Sequence, residues 1–180
     1  EEPGALVRET SDRMLAVLKE QRDVIKAEPA RLYGLVDEIV LPHFDFERMS
    51  RWVLGKHWRQ ASAEQQREFV NQFRTLLVRT YGTALLEYTD QQVKFLPVRI
   101  SADGRDATVR TEVVKPGAPA IPINYSMYLG DHGWKVYDVV IDGISLVSNY
   151  RTTFAAEIRN HGIDALIRRL ADRNATGGEV

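Results

Sequence analysis

The chain contains no cysteine among its 180 residues. Disulfides, thiolate metal sites, thiol nucleophiles and a cysteine-linked lipid anchor are therefore excluded. The lack does not fix a redox compartment, because such a chain folds equally well in oxidising and reducing surroundings. No run approaches the ~18 apolar residues of a membrane span. Neither sign of charge dominates, with 24 basic against 25 acidic side chains and a net charge of -1. A broad nucleic-acid surface has no support in that balance. A hydrophobic share of 44% with 27% charged residues describes a folded rather than a disordered chain. No signal peptide is visible, and the chain starts at Glu1, as a processed or trimmed protein would.

Reactive motifs are also missing. Gly143-Ile144-Ser145 lacks the second glycine of a nucleophile elbow. There is no His-x-x-x-His pair, no acidic calcium loop and no glycine-rich phosphate loop. His43 follows Pro42, His57 lies in Lys56-His57-Trp58-Arg59, His132 sits beside Asp131, and His161 precedes Gly162. All four read as surface or capping residues. Asp138 and Asp142 share a strand face, which is where solvated acids near a sheet end are found. No catalytic residue, metal or cofactor is assigned.

What is present is a surplus of apolar periodicity. Val7, Met14, Leu18 and Ile25 predict a first helix over about residues 4–26. Pro29 ends it and opens a second helix carrying Leu32, Leu35, Val36, Ile39 and Val40, closed by Pro42. A short helix with Phe46, Met49, Trp52 and Val53 stops at Gly55. Ser62 and Gln65 have capping-box spacing. They open a long helix over 62–88 with Phe69, Phe73, Leu76, Leu77, Tyr81, Ala84, Leu85 and Tyr88 on its apolar side. Gly82 sits inside it at a cost of about 1 kcal/mol relative to alanine, and close approach of another element or of a ligand would be one reason to keep it.

Turn signals at Asp103-Gly104, Lys115 to Pro122 and Gly130 to Gly133 divide the next stretch into four strands. These lie near 92–100, 106–114, 122–129 and 134–142, as an antiparallel meander. Parity puts Val109, Thr111, Val113, Ile123, Tyr125, Met127, Leu129, Tyr137, Val139 and Ile141 on one face. Leu146, Val147, Tyr150, Phe154 and Ile158 return to helical spacing, closed by Gly162. A last helix has Ile163, Leu166, Ile167 and Leu170 inward and Arg168, Arg169 and Arg173 outward.

The expected fold is therefore α+β, a four-stranded antiparallel sheet wrapped by helices. A single domain is expected over residues 1–174, helical over 1–90, strands over 91–142 and helical over 143–174. Residues 175–180 read as a tail. Six helical stripes exceed what four modest strands need for cover. Either helices pack on helices in a second lobe, or apolar surface lines a cavity. Such a cavity, between the sheet and the long helix, would be lined by Phe73, Leu76, Leu77 and Tyr81 from the helix. The sheet would supply Val109, Val113, Tyr125, Met127, Tyr137 and Val139. Trp52, Arg79, Tyr150 and Arg151 are expected at its rim, where arginine can hold a phosphate.

Five stretches carry a resemblance to a known family. Val53-Leu54-Gly55-Lys56-His57-Trp58-Arg59 resembles its V-L-G-K-x-W-R block. Leu76-Leu77-Val78-Arg79-Thr80-Tyr81-Gly82 resembles its long-helix motif. Trp134-Lys135-Val136-Tyr137-Asp138-Val139 and Gly143-Ile144-Ser145-Leu146-Val147-Ser148-Asn149-Tyr150-Arg151 resemble its W-K-V-Y-D-V and G-x-S-L-V-x-N-Y-R signatures. Gly162 to Ile167 fits its ending. The family is the MlaC, or toluene-tolerance, family. The resemblance implies a periplasmic phospholipid carrier with a fold related to nuclear transport factor 2. Its signal peptide would already be removed. It would bind lipid as cargo and need no cofactor. Its partners would be an inner-membrane ABC transporter complex and an outer-membrane lipoprotein–porin complex, and its role outer-membrane lipid asymmetry. Arg79, Tyr81 and Arg151 match motif positions. The basic helix with Arg168, Arg169 and Arg173 is a candidate surface for meeting a membrane partner. The competing reading is a small-molecule enzyme on a cone-shaped sheet, using Asp138 with a histidine or tyrosine.

Overall fold

The fold is seen in a computed structural model that describes residues 1–82, 84 and 91–176. The predicted Leu85 and Tyr88 of the long helix, and the tail from Gly177 onward, lie outside the described residues.

Helix α1 (Pro3–Glu20) opens with a proline, whose missing N–H costs nothing in a first turn. The predicted single helix breaks at Gln21, which leaves helical geometry at φ -106°, ψ 18°. Helix α2 (Arg22–Ala27) follows, and the Arg31 side chain donates to Gln21 Oε1 at 2.8 Å across the bend. The stripe survives the break, because Val7, Met14, Leu18 and Ile25 are all buried. Helix α3 (Ala30–Ile39) runs into a 3₁₀ turn over Leu41–His43 that contains Pro42.

Asp45 caps helix α4 (Phe46–Leu54), its carboxylate accepting from Arg48 N at 2.9 Å. Gly55 ends α4, and a short helix α5 (Lys56–Gln60), absent from the sequence reading, follows at once. The capping box forms as predicted. Ser62 N donates to Gln65 Oε1 at 2.8 Å, and Gln65 N donates to Ser62 Oγ at 3.1 Å. Helix α6 then spans Ala63–Gly82. A β-carbon at Gly82 would sit 3.7 Å from the Tyr33 ring, an ordinary contact. The glycine therefore is not required by close approach.

Among the described residues the sheet is antiparallel throughout and has six strands rather than four. They are β1 (Gln92–Phe95), β2 (Arg99–Ile100), β3 (Asp106–Val114), β4 (Ile121–Gly130), β5 (Gly133–Ile141) and β6 (Ile144–Ser145). The order is β1-β3-β4-β5-β6, with β2 also paired to β3. Pro97, which has no N–H to give, splits the predicted strand 92–100 in two. Asp142-Gly143, with φ of 51° and 84°, forms a two-residue turn between β5 and β6, where strand and then helix were expected.

Parity holds on β3 and β4 and fails on β5. Ser126 pairs with Asp138, but Met127 pairs with Val136, so Tyr137 is the extra residue of a bulge. Val136 thereby joins Val139 among the buried residues, and Tyr137 turns toward Tyr128, its ring centroid 6.1 Å away.

Ser145 Oγ accepts from Ser148 N at 3.1 Å and caps helix α7 (Leu146–His161). Gly162 separates it from helix α8 (Ile163–Ala175). Asn174 ties α8 to α6, donating to the Gln72 backbone and side chain at 2.9 and 2.8 Å.

These elements enclose two apolar cores. One lies among the helices and holds Met14, Ile25, Leu32, Met49, Phe69, Phe73, Leu76, Phe154 and Leu166. The other lies against the sheet and holds Val7, Val109, Met127, Val136 and Val139. Phe44 and Ile141 pack against both. Helix α1 rests on β3, and α4 and α7 rest on β5, while α6 packs on α8, α3 and α4.

Candidate functional site

The boundary between the two cores runs between helices and sheet. Polar straps close it. Phe44 makes a backbone bridge with Val136, and Asp45 N donates to Val136 O at 2.9 Å. Lys135 Nζ donates to Pro42 O at 2.5 Å. The Tyr128 hydroxyl donates to Asp45 Oδ2, leaving Oδ1 to cap α4. That hydrogen bond, then burial, raises the Tyr128 pKa above its usual 10.0. Arg48 lies over the rings of Tyr128 and Tyr137, at 4.2 and 4.7 Å from their centroids.

A second strap joins β5 to α7. Asp138 accepts from Val139 N at 2.8 Å, from the Ser145 hydroxyl at 2.5 Å and from Val147 N at 3.1 Å. Three donors hold its carboxylate in a helix-anchoring role. Among the described residues no cluster of acids and histidines could hold a metal ion. No described helix is long and apolar enough to cross a membrane.

The structure places seven of the ten expected lining residues in or against one core or the other, and Tyr81, Val113 and Tyr137 in neither. Phe73, Leu76 and Leu77 are in the helical core. Phe73 stacks on Phe69 at 5.6 Å and meets Tyr150 edge-on at 5.5 Å. Val109, Met127 and Val139 are in the sheet core, with Tyr125 packed beside them. Val113 is half-buried near the sheet end. Tyr137 faces Tyr128 and Arg48 at the strap.

The expected rim residues fall in two places. Arg79 lies over the Tyr33 ring at 5.4 Å, near the end of α6. Tyr81, expected in the lining, is instead exposed at the end of the described helix and shares a hydrogen bond with the expected rim residue Tyr150; partial burial and that neighbour push its pKa up to about 12. Trp52 and Arg151 meet elsewhere, in a shallow groove of ≈ 290 Å³ lined also by Arg51, Gly55, Lys56 and Arg59. A neighbouring depression of ≈ 320 Å³ shares Arg51 and Trp52 and adds Asp45, Glu47, Arg48 and Tyr128. The basic surround of His57 is plain in the sequence, but its gathering around Trp52 by α4, α5 and α7 is a tertiary feature with no local signal. Arg48, Tyr128 and Asp45 were also missed, since their link joins residues 83 positions apart.

Ser50 is a further unforeseen feature. It is fully buried on α4, and among the described residues its hydroxyl has no hydrogen-bond partner.

The arrangement is similar to that of known proteins. A solved structure of a phospholipid-binding protein from Ralstonia solanacearum, in complex with a phospholipid, is 34% identical with a TM-score of 0.90. The match covers 98% of this chain and 99% of that one. The toluene tolerance protein ttg2D of Pseudomonas putida is 29% identical over 163 residues, 90% of this chain and 75% of that protein. The intermembrane phospholipid transport system binding protein MlaC of Haemophilus influenzae is 26% identical over 171 residues, 93% of this chain and 80% of that protein. The family profile described as MlaC protein matches residues 8–172. With the profile covering nearly its whole length, the chain belongs to the MlaC family.

Proposed function

We propose that this protein is a periplasmic phospholipid carrier that holds acyl chains between its two apolar cores. The observation that carries the reading is the full-length likeness to a protein with bound phospholipid, on a fold whose apolar surface is split by a seam. Each buried methylene is worth about 0.8 kcal/mol. A diacyl lipid with on the order of 30 methylenes would thus face roughly 24 kcal/mol, gross, in crossing water bare. A carrier removes most of that barrier by offering apolar walls, and it needs no catalytic group.

The two surface grooves around Trp52 are too small for two acyl chains. The acyl chains lie along the boundary of the two cores, marked by Phe44 and Ile141, which pack against both. Val109, Met127, Val139 and Tyr125 form one wall. Phe73, Leu76 and Leu77 lie behind the other. The straps at Asp45 and Asp138 cross that boundary. The partners are the inner-membrane ABC transporter complex and the outer-membrane lipoprotein–porin complex, and the outcome is lipid asymmetry of the outer membrane.

Native mass spectrometry of protein purified without added lipid, followed by lipid extraction, tests this. Phospholipid is expected to co-purify. Protein that is repeatedly lipid-free, and takes up none from vesicles, would overturn the reading.

A further inference from the structure

The groove around Trp52 has a composition that carrying acyl chains does not call for. Trp52 is 53% exposed, an unusual position for the largest amphipathic side chain. Arg51, Lys56, Arg59 and Arg151 surround it, and no acid lines that groove. Arg51 is paired with Glu47 at 2.8 Å. Among the described residues, Lys56, Arg59 and Arg151 have no ionic partner. The chain as a whole carries a net charge of -1, so these cations are a local concentration.

Their placement is built into the fold. Gly55 adopts φ 56°, ψ -127°, a backbone state open almost only to glycine. This turn brings α5 back beside α4, so Lys56 and Arg59 flank Arg51 and Trp52. A β-carbon at Gly55 would lie 3.2 Å from the Arg151 guanidinium, so the bare backbone also admits the α7 arginine.

We infer that this face docks on the surface of an anionic phospholipid bilayer. An indole amid arginine and lysine suits the interfacial zone, where its apolar body meets the acyl boundary and its N–H meets water. Basic side chains close to anionic headgroups are attracted additively and lose that attraction as salt rises. Guanidinium forks match phosphate oxygens. The groove is shallow and cationic rather than deep and apolar, which fits a surface of many headgroups better than one enclosed ligand. The docking does not depend on the carrier reading, since a chain without cargo presents the same face.

Flotation of the full chain with vesicles tests the assignment. Phosphatidylcholine vesicles containing phosphatidylglycerol are compared with pure phosphatidylcholine, at low and high salt. Binding is expected only to the anionic vesicles at low salt, with a blue shift of tryptophan emission that Trp52→Ser removes. Lys56→Gln with Arg59→Gln should weaken binding about 30-fold. Lipid extracted from that double variant should match the wild type, which separates docking from cargo carriage. Absence of binding, equal binding to uncharged vesicles, or unchanged binding by the double variant would overturn the inference. Binding to soluble polyglutamate through these residues, with vesicles ignored, would identify a protein-docking face and equally overturn it.

Discussion

The Tyr128 hydroxyl donates to the Asp45 carboxylate, linking β4 to the first turn of α4. Asp45 thus serves two elements, since its other oxygen caps the helix. Removing the aspartate would damage both, so the tyrosine is the cleaner change. Tyr128→Phe keeps the ring beneath Arg48 and deletes only the bond across the seam. A partly solvated hydrogen bond of this kind contributes about 1 kcal/mol. The expected result is a slightly lower unfolding midpoint in urea and faster transfer of a fluorescent phospholipid to acceptor vesicles. An unchanged transfer rate would show that the strap does not control opening of the seam.

The same strap shows where the sequence stopped being legible. Local signals were readable because they act within a turn or two. The Ser62–Gln65 box and the stripe of Val7, Met14, Leu18 and Ile25 emerged as read. Face assignment on β3 and β4 succeeded for the same reason. It failed at Tyr137 because a bulge shifts the register by one residue, and nothing local to Trp134–Val139 announces it. The Asp142-Gly143 hairpin was visible in principle but was masked by the helical stripe that follows. Above all, periodicity shows that Phe73 and Val109 are buried without showing that they belong to different cores. That partition depends on which helices stand between α6 and the sheet, a tertiary fact.

Ser50 buries on α4 a hydroxyl that has no hydrogen-bond partner among the described residues. An unmet hydroxyl in an apolar setting costs about 1–3 kcal/mol. Ser50→Ala removes the group while changing the packing volume little. Equal or greater stability is expected, by up to about 1 kcal/mol, in urea unfolding of lipid-free protein. A clear loss of stability would mean that the hydroxyl is satisfied in solution.

Two glycines should respond oppositely to alanine. Gly55, at φ 56° and ψ -127°, admits a β-carbon only with strain, and that carbon would press on Arg151. Gly55→Ala should cost about 1–3 kcal/mol. Gly82 is the last described residue of α6 and has ordinary room around it. Gly82→Ala should be neutral, or stabilising by about 0.5–1 kcal/mol. Thermal midpoints of the two variants decide the point, and a Gly82→Ala loss as large as that of Gly55→Ala would contradict it.

His43 supplies a pH dependence. It lies in the 3₁₀ turn beside the Lys135–Pro42 strap. Burial, then the Lys135 charge, lowers its pKa below the usual 6.5, with Arg13 adding to the shift and Glu1 opposing it. The folded chain therefore binds this proton less readily than the unfolded chain does. As pH falls through 6.5, the unfolded state protonates first, so stability drops. The drop ends once pH passes below the folded-state pKa, where both states carry the proton. Above 6.5 the residue is neutral in both states and contributes no slope. Thermal unfolding of wild type and His43→Gln over about pH 7.5 to 5 measures the effect. The variant should lose less stability on acidification than the wild type. Identical slopes would mean that His43 titrates alike in the two states, and that Lys135 does not act on it through the strap.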